Sequence, residues 1–246
     1  MPNIKLTLEY DGTRYYGWQR QRSLPTLQGI LEEKIKQLTN EPVKVIGAGR
    51  TDAGVHAIGQ VANFKTRMRL DKQAWQRALN SLLPEDIIVW KVERKGEKFH
   101  ARYDAHCKIY RYCILNRPFR TAIGRQYQWV VYPPLNLARM RKASRLLNGR
   151  HDFSAFQAGS AVEKTRSSVC TIQKLSISKR RGAILFTIEA DRFLHQMVRT
   201  IVGTLVEVGK GKRSPEEVTT ILRSKDRNRA GQTAPPQGLF LMEVKY

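Results

Sequence analysis

The first periodic signal along the chain is an alternation. Ile4, Leu6, Leu8 and Tyr10 are separated by Lys5, Thr7 and Glu9, the pattern of a strand with one buried face. From Thr26 the period lengthens: Leu27, Ile30, Leu31, Ile35 and Leu38 fall at helical spacing, and Pro42 lies beyond the end. Residues 43–46 read as a short strand and residues 60–65 as another, with a glycine-rich loop between them. A second helix is predicted from its cap, Asp71, with Trp75, Ala78, Leu79 and Leu82 on one face and Pro84 as its stop. A strand over 87–92 closes this first half.

The second half repeats the rhythm loosely. Strands are predicted at 108–115 and 128–132, and Asn136 caps a helix through Leu147 that Asn148-Gly149 ends. Two more strands follow at 169–178 and 183–190, then a long apolar helix over 193–208 ending at Gly209. Ser214-Pro215-Glu216-Glu217 combines a capping box with a proline at the first helical position, so another helix starts there. A strand at 239–244 is the last element. Two successive halves that each mix strands with helices predict an α+β fold divided near residue 105. No low-complexity linker separates them, so they are expected to share a sheet or pack tightly.

Composition narrows the setting. Of the 246 residues 41% are hydrophobic, an ordinary share for a globular chain, and no apolar run reaches bilayer-spanning length. The start, Met1-Pro2-Asn3-Ile4-Lys5, enters the first strand without the basic and apolar regions of a signal peptide. Cys107, Cys113 and Cys170 are too few, and odd in number, for a disulfide framework. A cytoplasmic protein with no membrane role is expected.

Charge changes the picture more. Lys and Arg number 44 against 21 Asp and Glu, a formal net charge of +23. Such an excess repels itself in the folded state and suits a polyanionic partner. A membrane-surface protein would concentrate its cations on one amphipathic helix beside apolar anchors; here they are spread along the chain, which favours nucleic acid.

Three places are candidates for chemistry. In Gly47-Ala48-Gly49-Arg50-Thr51-Asp52-Ala53-Gly54-Val55-His56-Ala57 the glycines permit a sharp turn and a close ligand approach. Arg50 and Asp52 are two apart, so an extended stretch puts both on one face, where the guanidinium favours the ionised carboxylate of a nucleophile or base. A purely structural turn with a capping Asp has the same composition, so spacing alone does not decide. Between Ala101 and Val131, Arg102, Lys108, Arg111, Arg117, Arg120 and Arg125 are interleaved with Tyr103, Tyr110, Tyr112, Phe119, Tyr127 and Trp129. Cations for phosphates beside rings for stacking suit a surface that holds unpaired nucleotides, although Tyr110 and Tyr112 share a face and one of them suits a core. Arg199 lies among Met197, Val198, Ile201, Val202 and Leu205; buried there it needs a carboxylate, and otherwise it reaches solvent along its own stem.

Cofactor chemistry is not implied. The Walker and dinucleotide patterns are absent, as are C-x-x-C and H-E-x-x-H, and the five histidines are scattered. A metal-dependent nuclease needs several clustered carboxylates, whereas the loop offers one Asp. A non-catalytic RNA-binding protein accounts for the charge and the rings, but leaves Arg50 and Asp52 without a purpose.

Taken in order, these residues resemble the tRNA pseudouridine synthase A family (TruA type). The resemblance begins at Tyr10-Asp11-Gly12-Thr13 and Gly17-Trp18-Gln19 and is most specific at Arg50-Thr51-Asp52-Ala53-Gly54-Val55-His56-Ala57. It resumes at Lys108-Ile109-Tyr110-Arg111-Tyr112, at Phe193-Leu194 with Met197-Val198-Arg199, and at Pro236-Gln237-Gly238-Leu239. The resemblance implies two related α/β subdomains, ferredoxin- or RRM-like, sharing a mixed, mostly antiparallel sheet with a central catalytic cleft. Residues 1–105 would carry the catalytic Asp loop and 106–246 the second subdomain. It implies isomerisation of uridine to pseudouridine in the anticodon stem-loop of tRNA, by a homodimer, without cofactor or metal. Carried over, Asp52 is the catalytic carboxylate, Tyr110 the ring against the target uracil, Arg199 the salt-bridge partner of Asp52, Arg50 a displacer of the target base and Leu239 a pocket wall.

Overall fold

A computed structural model describes residues 1–158, 167–180 and 182–246. Its contacts divide the chain into two units, Met1–His106 with Phe240–Tyr246, and Cys107–Leu239. The expected division at 105/106 leaves the last strand with the second half; by contact, Phe240–Tyr246 groups with the first.

In the first unit, β1 (Asn3–Tyr10) buries Ile4, Leu6, Leu8 and Tyr10 along one face, as the alternation predicts. Helix α1 (Leu27–Thr39) is opened by Thr26, whose side chain accepts from the Gly29 N–H, and closed by Asn40 in the left-handed conformation. It buries Leu27, Leu31 and Ile35. The strand predicted over 43–46 is largely absent, because β2 is only Ile46–Gly47. The side chains of α1 supply the reason: Val45 N–H donates to Glu32 Oε1 at 3.1 Å, and Val45 C=O accepts from Gln28 Nε2 at 3.1 Å. Both backbone groups that a ladder would use at Val45 are thus already satisfied. Strand β3 (His56–Lys65) starts four residues earlier than its pattern suggests, so the end of the glycine-rich segment already lies in the sheet. Helix α2 (Lys72–Leu82) has its cap at Asp71, 2.7 Å from the Ala74 N–H, and presents Trp75 edge-on to Phe64. Strand β4 (Ile87–Lys95) follows. β1 runs antiparallel between β3 and β4, and β2 adds antiparallel to β3.

The second unit contains β5 (Cys107–Asn116), β6 (Trp129–Val131), α3 (Leu137–Arg145), β7 (Gly149–Asp152), β8 (Val169–Arg180), β9 (Ala183–Ala190), α4 (Met197–Gly209) and α5 (Glu217–Ser224). Its strands are ordered β5-β9-β8-β7, all antiparallel, with β6 parallel to β5. β7 has no apolar alternation and is not predicted; it is held by pairing Gly149–Asp152 with residues 169–172 of β8. Helix α4 begins four residues later than expected, since Gln196 is in the left-handed region and Met197 N–H turns back to Leu194 C=O. The helix is buried on nearly every side, and a Cβ on Gly203 would lie 1.7 Å from the Gln232 carbonyl oxygen. The capping box is reciprocal: Ser214 N–H donates to Glu217 Oε1 at 2.5 Å and Glu217 N–H to Ser214 Oγ at 3.3 Å.

The chain then enters β10 (Leu239–Lys245), which lies parallel to β3 through Phe240↔His56 and Leu241↔Ala57. The architecture is α+β, as the element pattern predicts, and antiparallel pairing is dominant, as the resemblance implies. Among the described residues no helix is long and apolar enough to cross a membrane.

Candidate active site

The segment between β2 and β3 carries the glycine-rich motif, and its middle residue is the anchor. Thr51 is buried, whereas Asp52 is half-buried and Arg50 is exposed. Thr51 is held from two directions: its Oγ1 lies 2.8 Å from the Tyr10 hydroxyl, and its carbonyl accepts from the Trp18 N–H at 3.0 Å. Gln60 Nε2 donates to Gly49 C=O at 2.9 Å, and Gly54 N–H donates to Tyr15 C=O at 3.3 Å. A tight turn from Val55 N–H to Asp52 C=O, 3.2 Å, then leads into β3. These bonds fix the backbone on both sides of Asp52.

Two glycines let this happen. Gly17 has φ +85, and a Cβ there would stand 2.6 Å from the Thr51 carbonyl oxygen. The chain at 15–18 can therefore lie directly beneath the loop. A Cβ on Gly12 would meet the Val55 carbonyl oxygen at 2.0 Å; in the same place Gly12 N–H donates to His56 Nδ1 at 3.0 Å. The same nitrogen lies 3.1 Å from Asp11 Oδ1.

Tyr10 deserves its place in this network on chemical grounds. Burial pushes its phenol up from 10.0 to about 12, against the opposing pull of its bonds with Thr51 and Gln60. It is neutral throughout the physiological range and able to donate. Tyr15 is raised further, first by burial and then by its hydrogen bond to Asp86. Tyr10, Gln60, Trp18 and His56 have no assigned role from the sequence; the visible signal was the motifs at 10–13 and 17–19 for Tyr10 and Trp18 and the block at 50–57 for His56, with none for Gln60.

The other expected site residues lie in the second unit. Tyr110, in β5, is buried and meets Phe193 edge-on at 4.9 Å between ring centres. Tyr112, two residues on, is the core member of the pair: it is fully buried and donates to Pro235 C=O at 2.7 Å. Burial raises its phenol far above the ordinary range, and the nearby Arg199 guanidinium pulls it the other way. Arg199, in α4, is half-buried, and its Nε donates to Ala234 C=O at 2.7 Å. Its own backbone C=O accepts from Ala234 N–H at 3.1 Å, so the helix and the 230–238 segment are joined at this residue. Leu239 is buried at the start of β10. Within each unit the residues are thus well ordered: Arg50 and Asp52 belong to the first, and Tyr110, Arg199 and Leu239 to the second.

The interleaved rings of 101–131 separate by exposure. Tyr110 and Tyr112 are buried, Trp129 is half-buried against Tyr112, and Tyr103, Phe119 and Tyr127 face solvent.

Comparison with known proteins bears on this arrangement. A family model described as tRNA pseudouridine synthase matches residues 7–104 and 143–246. The tRNA pseudouridine synthase A of Thermoanaerobacter sp. (strain X514) is 50% identical over 246 residues, covering all of both chains. That of Acetivibrio thermocellus is 46% identical, again over the whole of both. That of Myxococcus xanthus is 47% identical, over all of this chain and 92% of its own.

Proposed function

The chain belongs to the tRNA pseudouridine synthase family and isomerises uridine to pseudouridine in tRNA, and from that premise we propose that Asp52 is the carboxylate that carries the reaction. The observation behind the proposal is the pinned loop: Thr51 is buried and bonded at its hydroxyl and its carbonyl, and the neighbouring Asp52 is half-buried on a backbone held on both sides.

The reaction constrains what such a residue must do. The bond between sugar C1′ and uracil N1 breaks, the base turns, C5 bonds to C1′, and a proton leaves C5 as N1 gains one. Product and substrate are isomers, so no electrons are exchanged with an outside group. Asp52 serves this sequence either by attacking C1′ or by taking a proton from the sugar, and both routes need an ionised, fixed carboxylate. A base stacked in a stem must first be extruded, at about a few kcal/mol. Arg50, exposed beside Asp52, is proposed as the group that takes the base's place in the stack. Tyr110, Arg199 and Leu239 enter the proposal in the roles the resemblance implies, as the ring against uracil, the cationic partner of the carboxylate and a wall of the pocket. The target within tRNA is proposed to be the anticodon stem-loop, the working unit a homodimer, and the compartment the cytoplasm; these rest on the family pattern and on the charge of +23.

The test is Asp52→Asn, which replaces the carboxylate by an amide of nearly equal shape. Pseudouridine mapping on unmodified tRNA is expected to find no product, while tRNA affinity stays within about tenfold, or about 1.4 kcal/mol. A thermal melt alongside separates lost chemistry from lost fold. Product formed by the folded variant at nearly the parental rate would remove Asp52 from the mechanism.

A further inference from the structure

The connection between β5 and β6, residues 117–128, carries Arg117, Arg120 and Arg125 and neither Asp nor Glu. No carboxylate pairs with any of these three arginines among the described residues. The loop nevertheless has an internal order. Arg117 donates from Nε to Phe119 C=O at 3.1 Å and from Nη2 to Arg120 C=O at 2.7 Å. Its guanidinium carbon stands 4.7 Å from the centre of the Phe119 ring. Thr121 Oγ1 donates to Ile123 C=O at 2.9 Å, and Tyr127 N–H donates at 3.0 Å to the C=O of Gly124, which has φ +69. At the root, Asn116 Nδ2 donates to Val131 C=O at 2.7 Å and Pro133 C=O at 2.8 Å.

These bonds present apolar groups to water. Phe119 is 61% exposed and Ile123 89% exposed. An exposed phenyl ring backed by a guanidinium is an arrangement with a chemical use. The guanidinium is planar, weakly hydrated and stacks on π-faces, so it steadies the ring from one side. The opposite face is then available to another flat group. Arg120 and Arg125, without acidic neighbours in the loop, select a polyanion over an acidic-and-basic protein surface. Flat groups on a polyanionic chain are unpaired nucleobases.

We propose that residues 117–125 form an RNA-docking finger in which Phe119, held by Arg117, stacks on an unpaired nucleobase of the tRNA while Arg120 and Arg125 take neighbouring phosphates. The proposal rests on tRNA being the substrate and adds a second place of contact to that reading. It is independent of which residue performs the isomerisation.

The experiment uses the full chain and one unmodified tRNA transcript, with Kd measured by anisotropy at several salt concentrations. Base–aromatic stacking is sequence-tolerant but needs a π-face. Phe119→Ala is therefore expected to raise Kd about tenfold or more, Phe119→Leu to do the same despite restoring apolar bulk, and Phe119→Trp to bind like the parent. Arg120→Gln is expected to weaken binding and to reduce the salt slope by about one, as for one lost phosphate contact. The Phe119 substitutions should leave that slope in place. Thermal melts of the variants should match the parent, because the ring is mostly exposed. Parental affinity for Phe119→Ala, or for Phe119→Leu, overturns the stacking; an unchanged slope for Arg120→Gln overturns the phosphate contact. Failure here would leave the Asp52 reading standing, since Asp52→Asn is scored on product and these variants on affinity.

Discussion

Removing one hydroxyl tests whether the anchoring of Thr51 matters for chemistry. In Tyr10→Phe the ring stays in the core and the fold keeps its shape, but the 2.8 Å bond to Thr51 Oγ1 is lost. Gln60 Nε2, 3.4 Å from the same hydroxyl, keeps its shorter bond to Gly49 C=O. The buried Thr51 hydroxyl is the group left without this partner. A net hydrogen bond contributes about 1 kcal/mol and an orphaned buried group costs somewhat more, so the expected loss of stability is about 1–2 kcal/mol. The effect on rate should be larger than the effect on fold. A misplacement of about 1 Å at a reacting group can cost about a hundredfold, and Asp52 is the residue next to the released anchor. A fall in kcat of about tenfold to a hundredfold is expected, with tRNA Kd changed by no more than about twofold.

The assays are urea unfolding, tRNA binding, and release of tritium from C5-labelled uridine in tRNA, which reports the proton that must leave C5. Thr51→Val removes the other half of the bond without changing shape. The double variant should cost less than the two single variants together, because the bond can be lost only once. A Tyr10→Phe protein destabilised as expected, yet turning over at the parental kcat, would refute the idea that this bond positions the carboxylate.

Three further expectations follow, two for the same scaffold and one for the second unit. In Gly12→Ala the new methyl would fall 2.0 Å from the Val55 carbonyl oxygen, which is backbone and cannot step aside; chemical denaturation should show a loss of about 1–3 kcal/mol. At high pH the unfolded Tyr10 phenol ionises near 10.0 while the folded one holds its proton to about 12, so the unfolded state binds fewer protons in that window and stability falls across it. Tyr10→Phe should flatten that decline. At low pH, burial would raise Asp152, but bonds from Ser168, Ser154 and Lys225 outweigh it and lower the carboxyl from 3.8 to about 2. Its contribution is present above 3.8 and lost as pH falls toward 2, so Asp152→Asn should show a shallower acid transition by circular dichroism.

Local chemistry made much of the fold legible. Thr26, Asp71 and Asn136 each cap the helix that follows them, and the Ser214 box closes in both directions. What escaped reading depends on contacts distant in sequence. The segment 43–45 resembles a strand, but α1 claims its backbone groups at Val45. β7 is polar and exists because β8 offers it a partner. The site follows the same division. Arg50 and Asp52 stand out by spacing and by family pattern, whereas the Tyr10–Thr51–Gln60 network depends on strand register. Leu8 opposite Gln60 and Tyr10 opposite Ala57 bring these side chains under the loop. No pattern within either strand encodes that register.

Rigidity around Asp52 and cationic surface elsewhere answer different energetic demands. Contacts to phosphates that are equally good before and after a base leaves its stack strengthen binding of both states, and so lower KM without raising kcat. Only groups that meet the extruded nucleotide favour the transition state over bound tRNA. A net charge of +23 can supply the first kind of contact in abundance, from side chains that need no fixed position. The second kind requires a carboxylate already in place, since any ordering needed at the moment of reaction is added to the barrier. If Asp52 has the proposed role, the buried anchor at Thr51 meets that requirement. The same distinction separates the expected phenotypes: loss of a surface arginine should appear in Kd and in its salt dependence, and loss of the Tyr10 hydroxyl in kcat.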